Sequence, residues 1–247
     1  SSGTYTQFNQ KGLQNLKTLL AKATEDEDWG TYLAGTVLRA FIYEALVDCY
    51  GEVPYTEALN LENFPTPKYD EGQTVIAEIN AALEKVSPAN IVCTNFLFPS
   101  ATAEKWIQFA NALKLKMLMR MSNVKDVRSE VAALIAENNF PASDVSYKGC
   151  WKNEPGQMNP FYSEEFATTW GSTQTNIAAN LAIIGTMQVK NSEGAIEYED
   201  PRLSAFFEKN KAGEYVGGIS GTNYPKSTSK LQDWCRPVAT FDMPVYL

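Results

Sequence analysis

The sequence predicts a mostly α-helical protein: paired helices up to about residue 139, followed by a loop-rich, aromatic second half. Three observations carry this reading. Between Gln7 and Asn139 apolar residues recur every three or four positions in five segments. The segments are joined by connections rich in Pro, Gly and acidic residues, and antiparallel pairing of neighbours is the economical way to bury their stripes. Near Phe140 that period stops, and aromatics alternate with turn-forming residues. The boundaries expected on this basis are 1–139 for the helical scaffold and 140–247 for a partly helical region packed on it.

In chain order, Gln7–Ala23 places Phe8, Leu13, Leu16, Leu19 and Leu20 on one side and Lys11 and Lys22 on the other, an amphipathic helix. The acidic run Glu25–Asp28 lacks the alternating oxygen ligands of a calcium loop. It reads as a solvated connector that caps the next helix. That helix, from Thr31 to Tyr50, carries Ala34, Leu38, Phe41, Ala45 and Cys49 in register, widened by Val37, Ile42 and Leu46. Gly35, Ala40 and Ala45 are small enough to admit a neighbour closely. Gly51 and Pro54 end it, and Val53-Pro54-Tyr55 becomes an extended turn into a short element at Thr56–Leu59.

After a Pro-containing loop, Asp70 and Gln73 suggest a capping box for a helix over Gly72–Val86. Thr94–Ser100 is a loop. The longest helix follows over Thr102–Ser122, with Trp106, Ala110, Leu113, Met117 and Met121 as its stripe and Lys114, Lys116 and Arg120 toward the C-terminal end favoured by the helix dipole. Asp126–Asn139 closes the series. Beyond Phe140 the helical period returns over Thr175–Gln188. Asp200 and Pro201 then look like the N-cap and first residue of another helix. The glycines of Gly213–Gly221 follow a helix and lack a Gly-Lys-Ser/Thr, so they mark turns and not a phosphate loop.

Composition narrows the function. The 247 residues carry a formal net charge of −8 with a pI near 4.8, which argues against nucleic acid and anionic membrane surfaces as partners. No apolar run is long enough to span a bilayer. Histidine is absent, removing histidine-based triads, zinc sites and proximal-histidine haem. Cys49, Cys93, Cys150 and Cys235 are scattered without a C-x-x-C, so no metal site and no cofactor is expected. Disulfide pairing among them is left open, and Cys49 reads equally as a core residue. Acids are plentiful, yet none sits in a recognisable catalytic context, so the chain is read as a binding protein and not an enzyme.

Several segments together resemble one family. AFIYEALVDCYGEVPYTEAL is similar to the helix, "GDVPY" turn and "EAL" of the SusD/RagB family of outer-membrane lipoproteins. The matching residues are Asp48, Tyr50, Gly51, Val53, Pro54, Tyr55, Glu57, Ala58 and Leu59, with Glu52 in place of the usual aspartate. Pro67-Lys68-Tyr69-Asp70 resembles the family's entry into its next helix. KWIQFANALKLKMLMRMS resembles its "kW.kfaNsLklrlamR" helix through Lys105, Trp106, Phe109, Ala110, Asn111, Leu113, Lys114, Leu115, Met119 and Arg120. Asp200–Leu203 with Phe206 and Phe207 reproduces its "DPRL" segment. The likeness runs from about Gln7 to Tyr215. It implies tetratricopeptide-like packing, which no internal repeat shows. It also implies a cell-surface protein of the outer membrane that captures a glycan or other nutrient for a SusC-like TonB-dependent transporter. A lipid-anchored N-terminal cysteine is implied too and is missing here; with the tail ending before an expected helix, this suggests a fragment.

The candidate ligand contacts come from residue chemistry, because no family motif marks them. Sugars present C–H faces that pack on aromatic rings and hydroxyls that need amide partners. Trp151, Phe161, Tyr162 and Trp170 are rings in irregular sequence, and Asn153, Gln157, Asn159 and Gln174 are amides beside them. The competing reading is that these rings plug a core beneath long loops. The alternative functions are a helical-repeat adaptor for protein or peptide partners and a helical glycosidase.

Overall fold

The computed structural model describes residues 2–86, 92–93, 101–147, 149–166, 177–221 and 233–246. Two compact units emerge. The first runs from Ser1 to Tyr147 and includes Tyr246 and Leu247; the second is Lys148–Val245. The protein is mostly helical, with short strands.

The first unit is a set of packed helices. α1 (Ser2–Gln7) and α2 (Gln14–Glu25) are continuous through a π-helical segment at Phe8–Leu13. Within that segment Gly12 leaves only 3.1 Å between an added Cβ and Ile42 Cδ1 of the neighbouring α3 (Trp29–Tyr50), so the widened turn sits at a close helix approach. The amphipathic stripe is therefore longer than the sequence suggests. Leu13 and Leu20 are buried in it, while Leu19 is exposed.

α3 (Trp29–Tyr50) lies at the centre, packed against α2, α4 (Gln73–Lys85) and α5 (Ala103–Met121). Asp28 caps it, its carboxylate accepting from Thr31 N, as the acidic connector predicts. Leu33, Val37, Ala40, Tyr43 and Leu46 are fully buried, one register earlier than the stripe chosen from sequence, and Cys49 is exposed. A helix apolar on nearly every side is buried on several faces, so its period alone does not fix the innermost one. Gly35 admits Leu20 so closely that a Cβ would lie 2.9 Å from Leu20 Cδ2, the approach expected of a small residue there.

α5 is capped by Thr102, whose hydroxyl accepts from Lys105 N, and its Trp106, Ala110, Leu113 and Met117 face the core. Each fully buried aliphatic side chain of this core, such as Leu33 or Ile79, contributes about 1.5–3 kcal/mol. α6 (Arg128–Glu137) pairs with α5 and ends at Asn138, which takes the left-handed conformation at φ 51°. Short strands β1 (Val92–Cys93) and β2 (Ala101–Thr102) pair antiparallel, and β3 (Ser146–Tyr147) follows α6.

Asp70, expected to cap the helix that follows it, is not its N-cap. Gly72 occupies the N-cap of α4 without a side-chain bond. Asp70 turns back instead: its carboxylate accepts from Tyr55 N at 3.0 Å and from Thr56 N at 2.8 Å, while its own N–H donates to Val53 O. The Val53–Tyr55 turn and the Asp70 entry are thus one structure. Two amides in a tight turn satisfy the carboxylate better than one reciprocal bond at a helix start.

In the second unit, α7 (Pro160–Glu165) begins at Asn159. α8 is shorter than predicted, Leu181–Met187 instead of Thr175–Gln188. Asn180 starts it by accepting from Ala182 N, and Ala179 and Leu181 pair with Gly218 across a close crossing. A hairpin absent from the sequence reading follows, β4 (Gln188–Lys190) against β5 (Ile196–Glu199), with Val189 opposite Tyr198. Asp200 folds its carboxylate onto Arg202 N and guanidinium and α9 spans only Leu203–Phe206, so Asp200 shapes a turn ahead of the helix instead of capping it. β6 (Phe207–Glu208) and β7 (Arg236–Pro237) pair antiparallel, and β8 is Val245–Tyr246. Ala179, Ile184, Met187, Leu203, Tyr215 and Cys235 make this unit's core. Cys49, Cys150 and Cys235 are free thiols, and burial raises the pKa of the Cys235 thiol.

Candidate functional site

The ring pair Phe161–Tyr162 is placed by a local device. Asn159 is buried, and its Oδ1 accepts from Phe161 N at 2.9 Å and Tyr162 N at 3.3 Å. Pro160 occupies the first helical position, where its missing N–H costs nothing. Asn159 Nδ2 donates to Met243 O at 2.9 Å, and Asn159 N donates to Phe241 O. Both ends of the amide are thereby engaged within the protein. Asn159, expected among the ligand contacts, caps α7 and ties it to the 241–243 segment, its Oδ1 accepting twice and one of its two Nδ2 hydrogens donated.

One turn later the chain buries Phe166. Phe161 lies 5.6 Å from it in a tilted arrangement, and Tyr162 stacks on it at 6.1 Å with planes 7° apart. The Arg236 guanidinium sits 5.7 Å from the Phe166 ring and is ion-paired with Glu208, its cross-strand neighbour. Phe166 is 7% exposed and Phe161 36%. The buried ring serves as a floor, with Phe161 and the half-buried Tyr162 above it. That is an apolar platform with a neutralised guanidinium–carboxylate pair at its side.

The other expected contacts are distributed differently. Trp151 is half-buried and its Nε1 has no hydrogen-bond partner among the described residues. Asn153 is exposed. Gln157 turns its amide to Glu154 Oε2 at 2.6 Å, closing a tight turn in which Lys152 N donates to Gln157 O. Trp170 and Gln174 lie outside the described residues. The structure therefore joins Phe161 and Tyr162 and adds Phe166 and Arg236. The signal for Phe166 was present as ring spacing along a helix, four and five residues after its partners. Arg236 is seventy positions away and left no local trace.

The first unit offers a second concavity. A cleft of about 570 Å³ opens between α5 and residues 140–145, lined by Phe109, Leu113, Lys116, Phe140, Ser143 and Asp144 among others. Its size falls within the range of small-molecule sites. Two polar clusters flank the core nearby. Glu44, nearly buried, accepts from Lys116 Nζ at 2.9 Å and Arg120 Nε at 3.1 Å, and Arg120 also reaches Asp48 at 3.0 Å. Arg39 pairs with Glu78 at 2.6 Å and stacks 4.3 Å from the Tyr55 ring, while Tyr55 hydroxyl donates to Glu78. Burial raises the pKa of the Tyr55 phenol and pushes Tyr43 up to about 12. These clusters lock α3 to α5 and to α4, each buried charge meeting its opposite. No group of three metal-ligating side chains occurs among the described residues.

The comparisons give the protein's family. The family model described as SusD-like, starch-binding and associating with the outer membrane, matches residues 1–247, and the chain belongs to that family. Solved structures share the fold. A SusD homologue from Bacteroides fragilis superimposes with a TM-score of 0.69 at 19% identity, covering 96% of this chain and 54% of that one. One from Bacteroides uniformis gives 0.68 at 21%, covering 94% and 48%. A chitin-binding SusD homologue from Flavobacterium johnsoniae gives 0.66 at 21%, also 94% and 48%. The chain thus spans about half the length of these structures. Among the curated proteins, none matches. No helix of the described residues is long and apolar enough to cross a membrane.

Proposed function

We propose that this chain captures a glycan at the cell surface and presents it to a SusC-like TonB-dependent transporter in the outer membrane, by binding and without covalent chemistry. The observation that carries the reading is membership of a starch-binding, outer-membrane-associated family along all 247 residues. The Phe161–Tyr162–Phe166 platform supplies the physical means. A sugar's C–H face against two partly exposed rings removes apolar area from water, and the backing ring holds them in place before the ligand arrives. Attachment to the membrane through a lipid anchor is part of this proposal. Trp151 and Asn153 remain proposed contacts, as does Trp170.

Migration of the intact protein in native gels containing soluble polysaccharides tests the reading: retardation by at least one glycan is expected. Silence across the panel together with tight binding of a peptide would redirect the assignment to the adaptor reading, for which the α5 cleft is the available groove. The transporter step is tested by co-purification from outer membranes, where a TonB-dependent barrel is expected with the protein and its absence contradicts that step.

A further inference from the structure

The chain contains five arginines, and every one holds a carboxylate: Arg39 with Glu78, Arg120 with Glu44 and Asp48, Arg128 with Asp126, Arg202 with Asp200, and Arg236 with Glu208. Arginine is the residue that recognises uronate, sulfate and phosphate, because its planar fork donates two parallel hydrogen bonds to such groups. Here each guanidinium meets one of the protein's own acids, Arg128 and Arg202 at the surface and Arg39 and Arg236 partly buried. Even Arg236, against the floor of the ring platform, is committed to Glu208 across the β6–β7 pair. Several lysines are similarly occupied. Lys22, Lys68, Lys116 and Lys125 pair with acids, and Lys85 and Lys209 lie over aromatic rings. The remaining field is acidic, 29 carboxylates against 21 bases, and it repels a polyanion at long range.

We infer that the glycan taken by the ring platform is uncharged. This rests on the glycan-capture reading and narrows it: neutral hexose or pentose polymers fit, whereas polyuronates and sulfated glycans do not. An anionic sugar brought to Phe161 and Tyr162 would meet a guanidinium whose charge is already balanced by Glu208. It would either displace that carboxylate or share the guanidinium with it, and in both cases a second negative charge stands beside Glu208.

Isothermal titration of the intact chain separates the possibilities, using neutral glucans, mannans, xylans and chitin oligosaccharides on one side and polygalacturonate and chondroitin sulfate on the other. Each is run at about 20 mM and about 500 mM NaCl, which changes screening several-fold. The expected result is binding by a neutral glycan with a Kd constant within about twofold across the two salts, and no heat from either polyanion. A polyanion that binds more tightly than every neutral glycan, weakening about tenfold or more with salt, overturns the inference while leaving glycan capture standing. Silence from both classes with the fold intact overturns glycan capture itself, and the inference with it.

Discussion

Replacing Asn159 with alanine separates a scaffold residue from a ligand contact. The side chain makes three bonds in a site that is 1% exposed: two accepted at the start of α7 and one donated to Met243 O. Loss of an N-cap costs about 1 kcal/mol. Leaving the Met243 carbonyl without its donor adds about 1–3 kcal/mol. The small cavity adds about 1 kcal/mol more. Asn159→Ala therefore destabilises the second unit by about 3–5 kcal/mol, read as a lower urea midpoint with an unchanged slope. Asn159→Ser restores a capping oxygen but cannot reach Met243, and so recovers about 1 kcal/mol of that loss. An Asn159→Ala protein with wild-type stability and reduced glycan affinity would refute the reasoning and return Asn159 to the binding site.

Three further outcomes follow from the packing and the charges. At Gly217 an added Cβ would lie 2.5 Å from the backbone of Asn180 and Leu181, atoms that cannot rotate away. Gly217→Ala should cost about 2 kcal/mol or more in chemical denaturation, and a neutral result would mean the crossing is looser than drawn. Glu44→Gln removes the charge that receives Lys116 and Arg120, two partners that still reach water, so a loss of about 1–2 kcal/mol is expected; no loss would show the cluster to be incidental. The Arg202 guanidinium beside Asp200 holds its carboxyl down at about 2, below its ordinary value of 3.8. A depressed acid stabilises the fold fully above its unfolded pKa and ceases to as pH falls through the folded one. The second unit should therefore lose stability between about pH 4 and pH 2, and Asp200→Asn should flatten that part of the profile in pH-dependent unfolding. An unchanged profile would contradict the pairing.

The helices were legible where a stripe had one face and a cap had one partner. Trp106, Ala110, Leu113 and Met117 fell where the spacing placed them, and Asp28 capped α3 as its position required. Legibility failed where a polar side chain had two plausible partners. Asp70 chose the Tyr55 and Thr56 amides over Gln73, a contact fifteen residues away that no local pattern encodes. Asn180 starts α8 late because Gly218 pairs beside it, and the β4–β5 hairpin begins at Gln188, the last residue of the segment read as helix. At the site, Phe161 and Tyr162 were visible as rings in irregular sequence. The tie from Asn159 to Met243 O was not visible, because an amide's distant partners cannot be read from its neighbours in the chain.

The most direct test of ligand capture by the ring platform is titration of a bound neutral glycan into the wild-type chain and into Phe161→Ala and Tyr162→Ala. Phe161 is already partly exposed, so its truncation should leave the unfolding midpoint nearly unchanged. Stacking on each ring is expected to contribute about 1–2 kcal/mol, so each variant should bind about tenfold more weakly. Undiminished affinity in both variants would contradict the account and move the binding site elsewhere on the molecule.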